Sequence, residues 1–335
     1  MMNTLIGILK KPVYTVASWE PILRAQRARK LRNGIVVLMY HEVAPDDHDI
    51  EAWTVVKQSD FVKQMNYLRT MFKVVSLGEA LRLMEHVDDI QEPTVVITFD
   101  DGYSGNKRIV LPIIKSMNIP VTIFVSTRAV QDQIVYWYDR LIHALQNDRV
   151  INIDLRHISL NTYCINRVKG AENWAEIQRL LTDLKTLQPT LREITVKNLE
   201  DEHNSLGAVF YHLAPLTIDD VRESAGCPLV TIGAHSHCHN ILTQLSDEET
   251  AKSILTSKTI LESWIDRPVT SFAYPNGNYN DMVVKSLREC GFKCSLTTVA
   301  RPWKKEESNF TIPRMGIGRY DSLDYFKIKV SGGLF

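Results

Sequence analysis

Thr94-Val95-Val96-Ile97-Thr98-Phe99-Asp100-Asp101-Gly102 is the stretch on which the fold of this chain turns. Six residues suited to a buried strand run straight into two adjacent carboxylates. β-Branched and aromatic side chains fit a pleated surface, and a run without polar alternation fits a strand covered on both faces, as in parallel sheets. Two like charges side by side at a strand end are costly, so a use for them must be sought. Asp-Asp-Gly alone also describes an ordinary polar turn.

Outward from this stretch, further strands are expected at Ile35–Tyr40, Phe72–Leu77, Ile119–Val125, Leu229–Ile232, Thr270–Tyr274 and Lys293–Thr298. Helical patterns lie between them. Ser76 with Glu79, and Ser246 with Glu249, have the spacing of capping boxes for helices near 77–86 and after 246, and another helix is expected near 105–117. Strand and helix alternate, so the class is α/β with mainly parallel strands. About seven such units point to an incomplete or distorted (β/α) barrel rather than an open sheet. The segment 128–226 breaks the rhythm with helical patterning, for example over Asn173–Leu187. It is expected to be a helical insertion on a barrel spanning 33–335, with residues 1–32 as a basic helical extension.

Thirty-nine basic residues balance thirty-nine acidic ones over 335 residues, so no global field points to nucleic acid. Five cysteines, at 164, 227, 238, 290 and 294, are odd in number and scattered, which suits free thiols in a reducing compartment. The apolar run Leu5–Leu9 is shorter than the about 7–15 residues of a secretory segment and the ~20 of a membrane span, and the expected location is cytoplasmic. Residues 19–32, WEPILRAQRARKLR, read either as a solvated helix packed on the domain or as a peripheral contact for an anionic membrane.

Gly233-Ala234-His235-Ser236-His237-Cys238-His239 places three of the ten histidines within five positions, directly after an expected strand. Parallel α/β folds carry their chemistry at such strand ends. If the chain enters a helical turn here, His235 and His239 project to one side and grip one metal ion, with His237 pointing elsewhere. Asp101 completes an Asp-His-His set that leaves a position open, as in catalytic rather than structural zinc sites. Cys238 is an alternative ligand. A divalent metal makes coordinated water far more acidic, and Asp100, beside the ligand Asp101, is placed to take that proton. Zinc suits these ligands best, with cobalt or nickel also acceptable.

Thr98-Phe99-Asp100-Asp101-Gly102, His235-Ser236-His237-Cys238-His239 and Phe272-Ala273-Tyr274-Pro275-Asn276-Gly277 together resemble motifs of the polysaccharide deacetylase family, the NodB-homology or carbohydrate esterase family 4 group. The resemblance covers roughly residues 33 to 320. It implies a distorted (β/α) barrel that removes N-acetyl groups from amino sugars, or O-acetyl groups from polysaccharides, with a divalent metal. It implies Asp100 as base, Asp101, His235 and His239 as ligands, and a backbone N–H near Asn276 as oxyanion donor, with Tyr274 also on the substrate side. Two positions depart from the pattern. Ala273 stands where the family often has an arginine that orients the base, and Arg314 in Thr-Ile-Pro-Arg-Met is the candidate replacement. The family's C-terminal Leu-x-His acid is missing, since no histidine follows His239. Met39-Tyr40-His41 resembles the opening of a subgroup that includes poly-N-acetylglucosamine deacetylases, which implies His41 as the acid. Trp137 and Asp139 are candidates for the pocket edge, because aromatic rings stack on the apolar faces of sugars.

The expected activity is thus metal-dependent removal of an acetyl group from the nitrogen of an amino sugar. The substrate would be an oligosaccharide or a nucleotide-linked or lipid-linked sugar. Two other readings stand beside it. One is an O-acetyl esterase, and the other is an inactive sugar-binding module, which Ala273 favours.

Overall fold

The computed structural model describes residues 14–48, 52–86, 90–146, 150–166, 171–203, 213–305 and 307–333. The apolar run Leu5–Leu9 lies outside them. The chain divides into two compact units, one of residues 1–47, 53–133 and 215–335, the other of residues 48–52 and 134–214.

In chain order the strands are β1 (Gly34–Tyr40), β2 (Glu42–Ala44), β3 (Val55–Lys57), β4 (Lys73–Val74), β5 (Thr94–Phe99), β6 (Val121–Val125), β7 (Val150–Asp154), β8 (Thr162–Asn166), β9 (Val230–Ala234), β10 (Ser271–Ala273), β11 (Cys294–Leu296), β12 (Trp303–Lys304) and β13 (Met315–Gly316). The first unit is built on a nine-stranded sheet in the order β11-β10-β9-β6-β5-β1-β12, with β13 also paired to β1 and β4 to β5. Every pairing in it is parallel except β1 with β12. With helices alternating along the chain, this is the distorted (β/α) barrel expected from the sequence.

The central strands are buried throughout, as their unbroken apolar runs require: all seven residues of β1 and all six of β5 are inaccessible. Each fully buried Val, Ile or Phe contributes about 1.5–3 kcal/mol relative to exposure. Val36, Leu38 and Tyr40 of β1, Val95, Ile97 and Phe99 of β5 and Val121, Ile123 and Val125 of β6 share one core cluster, while Ile35, Val37, Val96 and Phe124 point into a second. Both faces of the sheet are therefore packed, and the strand ends are held by a rigid frame.

Helix starts follow their capping residues. Ser246 and Glu249 form the full reciprocal box before the helix Asp247–Ile265. Ser76 caps Leu77–Glu85 through the Glu79 N–H, while the Glu79 carboxylate pairs with Lys73 at 3.2 Å. The helix expected near 105–117 opens with a π turn, Asn106–Val110, before turning α-helical at Leu111–Met117. Such turns are rare and concentrate at functional sites.

The second unit contains the helices Trp137–Leu145, Ala171–Leu184 and Pro189–His203. It also contains an antiparallel hairpin, β7 with β8, which pairs Val150 with Asn166 through Asp154 with Thr162. Sequence reading anticipated only helices there. The hairpin's inward residues Ile151, Ile153, Tyr163 and Ile165 are buried, while their neighbours face water, the alternation of a one-sided strand pair.

Candidate active site

Register brings the site together. Tyr40 pairs with Phe99, Val125 with Ala234, and Phe272 with Ala234. The residues that follow on these parallel strands, His41, Asp100 and His235, therefore emerge on one rim, level with Ala273. Backbone turns then fold the candidate ligands inward. Four of the nine non-glycine residues with positive φ among the described residues lie here: Asp101 at 72°, Ser236 at 62°, His239 at 54° and Asn276 at 58°. Such conformations persist only where the surroundings impose them, and they cluster at functional sites.

Asp101 Oδ1 lies 3.2 Å from His235 Nε2 and 3.1 Å from His239 Nε2. One ligand atom from each of the three residues lies within 4.8 Å of the others. The two imidazole rings meet at 4.9 Å. No helical turn achieves this, contrary to the sequence reading. The segment is irregular, with left-handed residues at Ser236 and His239 and the Ser236 hydroxyl accepting from the His239 N–H at 3.0 Å. His237 points away and its Nδ1 meets Thr127 Oγ1 at 2.8 Å. Cys238 lies 4.0 Å from Arg128 Nη1 and outside the ligand cluster.

The donor set fits a divalent metal. His235 Nδ1 donates to the Ala273 carbonyl at 2.8 Å, because a carbonyl only accepts, which leaves Nε2 facing Asp101 and His239; burial lowers the pKa of this ring, but Asp100 and Asp101 more than offset that and raise it. Burial alone pushes the Asp101 carboxyl up, but His239 and His235 more than offset this and hold it well below the usual carboxylate range. The Asp101 carboxyl is thus held toward its charged form, the one that could bind a metal ion. Burial also pulls His239 below the ordinary histidine value, favouring the neutral, metal-binding imidazole.

Asp100 stands outside this cluster. Arg314 reaches it from beside β13, with Nη1 donating to Oδ1 and Nη2 to Oδ2, both at 2.7 Å. The guanidinium is fully buried and further fixed on the Thr297 carbonyl and the Thr98 hydroxyl. Burial pushes Asp100 up, yet Arg314, with His235 and His41, leaves it below the ordinary carboxylate value. An arginine, Arg314, thus stands against Asp100 although position 273 is alanine.

His41 is half-buried. Its carbonyl accepts from Asn106 Nδ2 at 2.8 Å, and its ring meets Trp53 edge-on at 5.3 Å. Burial lowers its pKa, opposed by Asp101 and Asp100, so the imidazole feels both carboxylates. In the third motif, Tyr274 is fully buried and its hydroxyl donates to the Phe310 carbonyl at 2.9 Å, so its side chain belongs to the core. Asn276 and Gly277, at φ +78°, turn the backbone beside it. A side chain at 277 would strike the Thr298 hydroxyl at 2.1 Å, so glycine is required there on two counts. Trp137 belongs to the second unit, where Arg192 lies over its ring at 5.1 Å, and Asp139 is buried there. Trp53 and Asn106 went unnoticed in the sequence because neither sits in a motif or a periodic pattern.

Comparison with known proteins now decides the family. The family described as polysaccharide deacetylase matches residues 88–200 and 201–295, more than half of the chain. The chain belongs to the polysaccharide deacetylase family. His41 and Arg314 lie outside the matched segments. A peptidoglycan-N-acetylglucosamine deacetylase of Bacillus cereus is 32% identical over 82 residues, 24% of this chain and 36% of that protein. The chain thus matches about a third of that relative's length. Among solved structures, the Streptococcus pyogenes deacetylase PplD in complex with acetate aligns with a TM-score of 0.59 at 16% identity, covering 89% of this chain and 98% of that one. IcaB from Ammonifex degensii aligns with a TM-score of 0.59 at 17% identity, covering 89% and 97%. At these identities the likeness establishes the shared fold.

Proposed function

We propose that this member of the deacetylase family removes an acetyl group from the nitrogen of an amino sugar, in an oligosaccharide or a nucleotide-linked or lipid-linked precursor. The observation that carries this reading is Asp100: a buried carboxylate kept ionised by Arg314, one residue from the ligand Asp101, yet outside the ligand set. A pure sugar binder has no use for such a proton acceptor.

Asp101, His235 and His239 would hold the metal, zinc in preference to cobalt or nickel. When bound, the ion supplies Lewis acidity that polarises an acyl carbonyl and acidifies water. Asp100 takes the proton from the attacking water as the new C–O bond forms. A backbone N–H near Asn276 would donate to the developing oxyanion. His41 protonates the leaving nitrogen as the C–N bond breaks, giving free amine and acetate. An amine is a poor leaving group, and a histidine acid facing both carboxylates favours the amide over the ester. The described activity of the Bacillus cereus relative, on N-acetylglucosamine units, supports the same choice. The test is release of free amine from a panel of N-acetylated sugars beside release of acetate from O-acetylated ones. Turnover of the esters alone would replace this reading with the O-acetyl esterase.

We also propose peripheral contact with an anionic membrane. Among the described residues no helix is long and apolar enough to cross a bilayer. The helix Glu20–Lys30 is pinned to its own unit by buried Leu23 and by Arg27, which donates to Tyr67 and Ser331. Val16 and Trp19 just before it and Ile22 within it are exposed by 66%, 64% and 41%, and Arg24, Arg29 and Arg32 along and just after it are exposed as well. Apolar side chains next to cations complement an acidic lipid surface.

A further inference from the structure

Beside His41 lies an aromatic ring that neither the metal cluster nor the base accounts for. Trp53 sits in the loop before β3, and its indole meets the His41 imidazole at 5.3 Å and 73° between planes. The ring is only half-buried, although tryptophan ordinarily gains most by full burial.

Its position is built, not incidental. The Trp53 carbonyl accepts from the Arg319 N–H at 2.9 Å, and the next carbonyl, Thr54, accepts from Glu42 N–H at 3.1 Å. The loop is thus tied both to the strand that follows His41 and to the segment that follows β13. Gly318 makes the second tie possible. A side chain there would meet the Trp53 carbonyl at 2.7 Å and the indole Cε3 at 3.1 Å. Gly316 lies under the same ring at ordinary contact distance, Cζ3 being 3.8 Å from where its Cβ would be. The indole therefore rests on a glycine-lined backbone, touches the imidazole with one edge and keeps part of its surface open to solvent.

We infer that Trp53 is the aromatic wall of the substrate site, on which the pyranose ring bearing the acyl group stacks. This rests on the deacetylase reading above. A group protonated by His41 must lie within hydrogen-bond reach of the imidazole, and the indole, 5.3 Å from that imidazole, is the half-buried aromatic surface beside it. Pyranose rings present C–H faces that pack on aromatic surfaces and bury area the ring otherwise leaves wet. Trp53 makes the site selective for cyclic sugars over open-chain N-acetyl compounds.

The test compares wild type, Trp53→Ala and Trp53→Phe with N-acetylglucosamine oligosaccharides. Binding is measured by calorimetry in an Asp100→Asn background, and turnover in the active protein. We expect Trp53→Ala to raise both Kd and KM about tenfold or more, with kcat changed less than about threefold, and Trp53→Phe to restore most of the affinity. An unchanged Kd in Trp53→Ala overturns the inference. A fall in kcat at constant Kd, unrescued by phenylalanine, also overturns it and assigns the indole to packing His41. If wild type releases no amine yet binds the oligosaccharide, and Trp53→Ala loses that binding, the stacking site stands and the deacetylase reading falls. If the oligosaccharides do not bind at all, both fall.

Discussion

Arg314 holds both carboxylate oxygens of Asp100, each at 2.7 Å, in a pair sealed from water. Two desolvated charges are expensive to keep, and such a pair contributes little net stability over an apolar replacement. Removing one partner is a different matter, because the other is left buried and uncompensated, at a cost of about 3–5 kcal/mol. What the pair provides is a fixed orientation and a fixed ionisation state for Asp100.

Arg314→Met should invert the local pH dependence. In wild type the folded-state pKa of Asp100 is depressed, so its stabilising contribution is present above the unfolded value of about 3.9 and lost as pH falls through the folded one. Without the guanidinium, burial dominates and raises the folded pKa. The variant then loses stability as pH rises through that value, and its acidic rate limb moves to higher pH. Melting temperatures of the metal-free proteins between pH 4 and 7 check this. Parallel curves for the two proteins would remove Arg314 as the group that holds Asp100 ionised.

Zinc should stabilise the fold through three residues only. At an ion concentration 100 times Kd, wild type gains about 2.7 kcal/mol in thermal or denaturant unfolding. His239→Ala and Asp101→Asn should lose this gain and the activity, whereas Asp100→Asn should keep the gain and lose turnover by orders of magnitude. His237→Ala, whose ring faces Thr127, should keep both. Loss of zinc stabilisation in His237→Ala, with retention in His239→Ala, would reverse the ligand assignment.

His41→Asn should separate amides from esters. Loss of a general acid costs roughly 10²–10⁴-fold where the leaving group needs its proton. We expect that loss on N-acetyl substrates, with less than about tenfold on O-acetyl ones. The alkaline limb of the amide profile should vanish or move, since the limb reports deprotonation of His41. Equal losses on both substrates would show that the imidazole only ends its strand.

Vesicle sedimentation reads the membrane contact. Vesicles with anionic lipid should bring down wild type, salt should weaken the binding, and neutral vesicles should not bind it. Trp19→Ser with Ile22→Ser should lose the binding while amine release continues unchanged. If wild type stays in the supernatant with anionic vesicles at low salt, the contact does not exist.

The parts of the site carried by local sequence were legible. Parallel strands buried on both faces write themselves as apolar runs, so the ends at His41, Asp100 and His235 were visible, and the packing of Ser246 with Glu249 needed only four residues to read. The Asp101, His235 and His239 convergence was anticipated, though not its means, because left-handed residues at Ser236 and His239 have no strong sequence signature outside glycine. The partner of Asp100 lies 214 residues away, and because no periodicity connects positions so distant, Arg314 was named only through the family pattern whose arginine position holds Ala273. β12 and β13 are two residues long, too short to alternate. The hairpin of β7 and β8 did alternate, in Val150-Ile151-Asn152-Ile153-Asp154, but its helical surroundings drew attention from the period of two.

The separation between Asp100 and Arg314 also sets an order of assembly. At ribosomal rates of roughly 5–20 residues per second, about ten to forty seconds pass between the two residues. β6 and β9 emerge within that interval, so the three proposed ligand residues exist before the proposed base has its counter-ion. A nascent chain that has reached His239 but not Arg314 contains all three proposed metal donors and an Asp100 without its arginine partner. β13, paired with β1 and the last strand in chain order, brings the counter-ion of the proposed base with it. A chain cut in the loop before Arg314 should therefore still capture zinc while being silent toward substrate.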